Sequence, residues 1–129
     1  SGHGIALGTF LLCCCDYRFG VKGEFLLGAN EMRTNMVIPT PILELIKFRV
    51  SPSHKYRSIL GAEMYPLEKA IDAGLMDQVV DPDKLMVAAV EKAKDLATMC
   101  HPSYTLTKAL YIKDVADSID SAIKDLETQ

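Results

Sequence analysis

Gly2-His3-Gly4-Ile5-Ala6-Leu7-Gly8, running into the apolar stretch Thr9 to Cys15 and then Asp16-Tyr17-Arg18, decides how this chain is read. A glycine-rich turn opening onto an apolar segment presents free backbone N–H groups at a helix start, where the first amides have no carbonyl one turn back. Such amides can hold a developing oxyanion. The apolar block and the run Asp16 to Val21 read as a helix followed by a short strand. Lys22-Gly23 makes a turn, Glu24 to Leu27 a second strand, and Gly28-Ala29-Asn30 a loop that delivers Glu31. A carboxylate just after a strand, followed by Met32, Met36, Val37 and Ile38, is a candidate proton carrier in an apolar neighbourhood.

Beyond Pro39 the pattern turns helical. Pro41 suits a first turn, Ile42, Leu45, Ile46 and Arg49 follow at helical spacing, and Val50-Ser51-Pro52 ends the segment. Short helices over Ser53 to Leu60 and Pro66 to Ala73 are closed by Gly61 and Gly74, each expected in the left-handed conformation that relieves a helix end. Met76 to Val80 reads as a strand, Asp81 as a cap, and Pro82 as the start of a long helix to about Met99. A last helix, roughly Ser103 to Leu126, has an apolar face that includes Leu106, Leu110, Ile119 and Ala122, suited to the core or to a subunit contact.

With 129 residues and 49% hydrophobic content, the chain can build one domain with a real core. The 14 basic and 17 acidic residues are mixed along it, so no basic stripe exists for nucleic acid. No apolar run reaches the ~20 residues that span a bilayer, and a membrane protein is not expected. Cys13-Cys14-Cys15 and Cys100 offer neither the spaced pairs of a zinc site nor a disulfide framework, so no metal is expected. Reduced, buried thiols in a cytoplasmic compartment fit this usage. The chain starts without methionine, inside the glycine-rich loop, which suggests that Ser1 is an internal boundary and that an N-terminal half is missing.

These motifs resemble the crotonase superfamily, the enoyl-CoA hydratase/isomerase family, from Gly2 to about Lys113. Its glycine-rich oxyanion loop, apolar helix and Cys-Asp-Tyr-Arg match Gly2 to Gly8 and Cys15-Asp16-Tyr17-Arg18. Its loop-borne glutamate and following proline match Glu31 and Pro39, and its core-closing segment matches Gly61-Ala62-Glu63 and Glu68 to Val80. Thr107-Lys108-Ala109 is similar to its C-terminal helix. The resemblance implies an α/β fold: the C-terminal portion of a β-β-α superhelix over residues 1–80, then a helical trimerisation region over 81–129. It also implies homotrimers or hexamers acting on an acyl-CoA thioester, with coenzyme A as part of the substrate and no separate cofactor.

Within the family, hydratases carry two glutamates, and the first of these positions falls on Phe10, which cannot hold a proton. Isomerases that move a double bond use one glutamate in an Asn-Glu pair like Asn30-Glu31. The resemblance therefore implies an enoyl-CoA isomerase with Glu31 as acid and base and the Leu7 amide as oxyanion donor. A second donor would lie upstream, and Leu7 stands where the best-known members have glycine. Gly8, Phe10, Met36 and Lys108 are the expected substrate contacts. An enoyl-CoA hydratase and a non-catalytic acyl-CoA-binding or assembly paralogue are the alternatives. Read from the residues alone, Glu31 is ordinarily a solvated carboxylate, the glycines a tight turn, the methionines packing, and Lys108 part of a wet helix face.

Overall fold

The computed structural model describes residues 2–99 and 101–128, so Ser1 and Cys100 lie outside the described residues. In chain order the elements are β1 (Gly4–Ile5), α1 (Leu7–Cys13), β2 (Phe19–Val21), β3 (Leu26–Gly28), α2 (Thr40–Arg49), α3 (Lys55–Ile59), β4 (Tyr65–Pro66), α4 (Leu67–Asp72), β5 (Gln78–Val80), α5 (Leu85–Ala97) and α6 (Pro102–Glu127). One sheet has the order β1-β3-β4, with β1 parallel and β4 antiparallel to β3. The other pairs β2 with β5 in parallel, Gly20 opposite Val79. This mixed α/β architecture ending in long helices is the fold class expected.

Strands this short cannot stand alone. They are held by a core in which Phe10 and Cys13 of α1, Leu27 of β3, Ile46 of α2, Ala70 of α4 and Leu75 pack together. α6 lies along α2 and buries Ala122, while Leu106 and Leu110 nearer its start remain exposed. No helix among the described residues is long and apolar enough to cross a membrane.

Several local expectations are corrected. Gly74 does adopt a left-handed φ of +80°, and a Cβ there would stand 2.6 Å from the Arg49 carbonyl. At the preceding closure it is Ala62, at φ +46°, that takes the left-handed turn. Gly61 is needed for close approach instead, because a Cβ would stand 2.7 Å from the Arg57 carbonyl. Asp81 makes no side-chain cap, and its carboxylate pairs with Lys22 at 2.9 Å. All the thiols were expected to be buried; among the described cysteines Cys13 is, whereas Cys14 and Cys15 lie past the end of α1 and face outward. β4 was not expected, since two residues carry no alternation and one of them is proline.

Candidate active site

Parallel pairing sets the geometry. Ile5 of β1 lies opposite Gly28 of β3, and parallel strands release their chains at the same end. Leu7 follows Ile5 by two residues and Glu31 follows Gly28 by three, so both emerge at the carboxyl end of strands about 4.8 Å apart. That end of an open α/β sheet is where ligands are met.

Glu31 opens a 3-10 turn over Glu31–Arg33. Its side chain is 6% exposed, and Oε2 is the one buried side-chain polar atom without a hydrogen-bond partner among the described residues. Burying an unpartnered carboxylate oxygen is costly, and such atoms concentrate where chemistry uses them. The backbone around it is firmly held. The Glu31 carbonyl accepts from Met36 N–H at 2.9 Å and from the Thr34 amide and hydroxyl, each at 3.1 Å. Arg33 Nε donates to the Ala62 carbonyl at 3.2 Å, fastening the turn to the loop before β4.

The opposing turn is strained. Ala6 sits at φ +51°, ψ −116°, and its N–H donates to the Gly28 carbonyl at 2.9 Å. A residue with a Cβ held there costs about 1–3 kcal/mol. The first helix-closing bond runs from Phe10 N–H to the Ala6 carbonyl at 3.1 Å, so the amides of Leu7, Gly8 and Thr9 precede it and have no carbonyl one turn back. The Leu7 side chain is 62% exposed. His3 serves structure here, its Nδ1 accepting the Leu26 N–H at 3.0 Å.

The other expected contacts divide. Gly8 lies in the first turn of α1, with open space where a side chain would begin. Phe10 is packed into the core, so it anchors α1 instead of lining an acyl cleft. Met36 and Val37 are 60% and 87% exposed, whereas Ile38 at the end of the apolar run after Glu31 packs into the core. Lys108 is bound to Asp16, which raises the ammonium pKa, and it lines a groove of about 700 Å³ with Arg49, Tyr104 and Tyr111. Glu31 is not among the groove's lining residues. Asp16 lies beyond the far end of α1 from Leu7, a helix length of about 10 Å, so Lys108 is not brought to Glu31.

Sequence reasoning passed over Thr9 and over the burial of Arg18. Thr9 is fully buried, with its hydroxyl bonded to both strands that carry the site. Arg18, which entered only as the last residue of the Cys-Asp-Tyr-Arg motif, is buried against Asp77. Pairings that join residues 19 and 59 positions apart leave no local signal.

No protein-family model matches the chain. A solved structure of an enoyl-CoA hydratase/isomerase family protein from Pseudomonas syringae superimposes with a TM-score of 0.91 at 37% identity, covering 96% of this chain and 54% of that one. The enoyl-CoA isomerase of Mycobacterium tuberculosis gives 0.91 at 30% identity, covering 99% of this chain and 56% of that one. The chain belongs to the crotonase superfamily. Among curated proteins, the mitochondrial enoyl-CoA delta isomerase 1 of Rattus norvegicus is 25% identical over 120 residues, which are 92% of this chain and 42% of that protein. The chain thus spans about half the length of the crotonases it matches, and its two strand ends with Leu7 and Glu31 lie within the spanned half.

Proposed function

We propose that this crotonase-type protein is an enoyl-CoA double-bond isomerase in which Glu31 is the only acid/base. The observation that carries the reading is the buried, unpartnered Glu31 Oε2 at the same strand end as the free amides of the first α1 turn. Glu31 as carboxylate takes a proton from the carbon between the thioester carbonyl and the double bond of a 3-enoyl-CoA. The released electron pair delocalises onto the thioester oxygen, which the Leu7 amide stabilises. The protonated Glu31 then returns the proton to the far carbon of the double bond, the electrons flow back, and a 2-enoyl-CoA forms. Atoms and charge balance with one carboxylate.

The second oxyanion donor belongs, on this reading, to the part of the relatives that this chain does not span. Phe10 supports isomerisation over hydration, because a ring packed in the core cannot activate water. Met36, tethered through its amide beside Glu31, is open to meet an acyl chain. Exposed Leu106 and Leu110 support assembly into trimers or hexamers through α6.

The test is turnover of 3-enoyl-CoA and 2-enoyl-CoA by the protein and its Glu31→Gln variant. Isomerisation that falls about 10²–10⁴-fold in Glu31→Gln is the expected result. Hydration without isomerisation would replace the reading with a hydratase. Thioester binding without exchange of the α-proton in deuterated water would mark a non-catalytic binding protein.

A further inference from the structure

We infer that Thr9 is a positioning residue, whose buried hydroxyl fixes the spacing between the turn that carries the Leu7 amide and the loop that carries Glu31. The inference rests on the reading of Glu31 and Leu7 given above, and adds a residue that touches neither substrate nor reacting atoms.

Thr9 Oγ1 accepts the Gly28 N–H at 2.9 Å. The same oxygen lies 2.9 Å from the Gly28 carbonyl and in hydrogen-bond contact with the Gly4 carbonyl. A hydroxyl has one proton and two lone pairs, so it donates to one carbonyl at a time while holding the Gly28 amide. Gly4 precedes Leu7 by three residues, and Gly28 precedes Glu31 by three. One side chain therefore reaches the roots of both functional loops from the first turn of the helix that begins at Leu7.

The backbone alone is a weak tie here. β1 has two residues and β3 three, and the Ala6 N–H to Gly28 carbonyl bond is the last rung before the chains diverge. Gly28 itself is at φ +154°, outside an ordinary strand conformation. Without the hydroxyl its buried N–H has no acceptor in this arrangement, and the loop gains a reason to shift. A misplacement of about 1 Å between a base and an oxyanion donor costs on the order of 10²-fold in rate.

The experiment compares Thr9→Val, Thr9→Cys and Thr9→Ser with the parent protein and with Glu31→Gln, measuring kcat and KM for 3-enoyl-CoA isomerisation. Valine matches the shape of threonine without its hydroxyl, and cysteine keeps a small side chain with a poor hydrogen-bonding atom. Both are expected to lower kcat by about 10–100-fold, with KM changed less than about threefold. Serine keeps the hydroxyl and is expected to stay within about threefold of the parent in kcat. If folded Thr9→Val or Thr9→Cys turns over like the parent, the positioning role is overturned. It is overturned equally if serine loses as much as valine, since the methyl group then matters and the hydroxyl does not. An inactive Glu31→Gln beside a fully active Thr9→Val sinks this inference alone, whereas an active Glu31→Gln sinks the isomerase reading and this inference with it.

Discussion

Arg18 and Asp77 form an ion pair in which the cation is buried: Nε stands 2.9 Å from Asp77 Oδ2, with the two side chains 7% and 33% exposed. The Arg18 backbone N–H also donates to Asp77 at 2.8 Å, and Nη1 donates to the Gly74 carbonyl at 3.0 Å. The pair thus locks the start of β2 to the turn between α4 and β5. Removing one partner leaves a buried charge uncompensated, so Asp77→Ala should destabilise by about 3 kcal/mol. Denaturant unfolding of the single variant and of Arg18→Met/Asp77→Leu should show the double replacement to be the milder change. A single variant as stable as the parent would mean that the guanidinium finds water instead.

The strained turn makes an opposite pair of predictions. Ala6 at φ +51° is expected to accept glycine with a gain of about 1 kcal/mol, because relief of strain exceeds the extra chain entropy. Gly28→Ala should cost at least about 2 kcal/mol, since a Cβ would stand 2.9 Å from both the Glu63 carbonyl and Met64 Sδ at a φ of +154°. Equilibrium unfolding checks both, and equal stabilities would remove strain as a property of this turn.

Burial pushes the Cys13 thiol up to about 11, against a partial offset from Arg18 and Arg49. Cys14 and Cys15, past the end of the helix, are exposed. Alkylation of the native protein at mild alkaline pH should therefore label those two and spare Cys13, as peptide mass mapping would read. The pH dependence follows with a definite sign. The folded state keeps its Cys13 proton while the unfolded chain loses it, so this contribution is intact below about pH 9 and lost progressively toward 11. Cys13→Ala should flatten that alkaline decline, whatever it does to stability at neutral pH.

Much of this arrangement was open to sequence reasoning, and the parts that were not share a cause. Gly74, Pro41 and Pro82 act within a few residues of themselves, and the helix ends they mark were legible. Glu31 stood out because a strand, a glycine and an Asn-Glu pair sit together in the chain. What stayed hidden was decided across the fold. Asp81 turned from capping to Lys22, Arg18 was drawn inward by Asp77, and the Thr9 hydroxyl found Gly28 on a neighbouring strand. The left-handed turn falls on Ala62, and Gly61 is needed instead because a side chain there would meet the Arg57 carbonyl, a clash that exists only in the folded turn. Two-residue strands such as β4 are too short for any period to register.

The isolation of Glu31 Oε2 sets function against stability at one atom. A carboxylate kept for structure would be hydrogen-bonded, and replacing it would weaken the fold. Here the oxygen is buried and unpartnered, so its removal relieves a desolvation cost. Glu31→Met, of similar length and without charge, is expected to raise stability by about 1–2 kcal/mol, or roughly 3–6 °C in Tm for a chain of this size. Glu31→Gln should gain less, because its amide is also polar. Both should lower isomerisation by about 10²–10⁴-fold while leaving thioester binding in place, since neither alters the amides at the start of α1. Calorimetry beside an activity assay separates the cases: a variant that loses stability together with turnover would assign Glu31 to the scaffold, and one that gains stability while losing turnover assigns it to the chemistry.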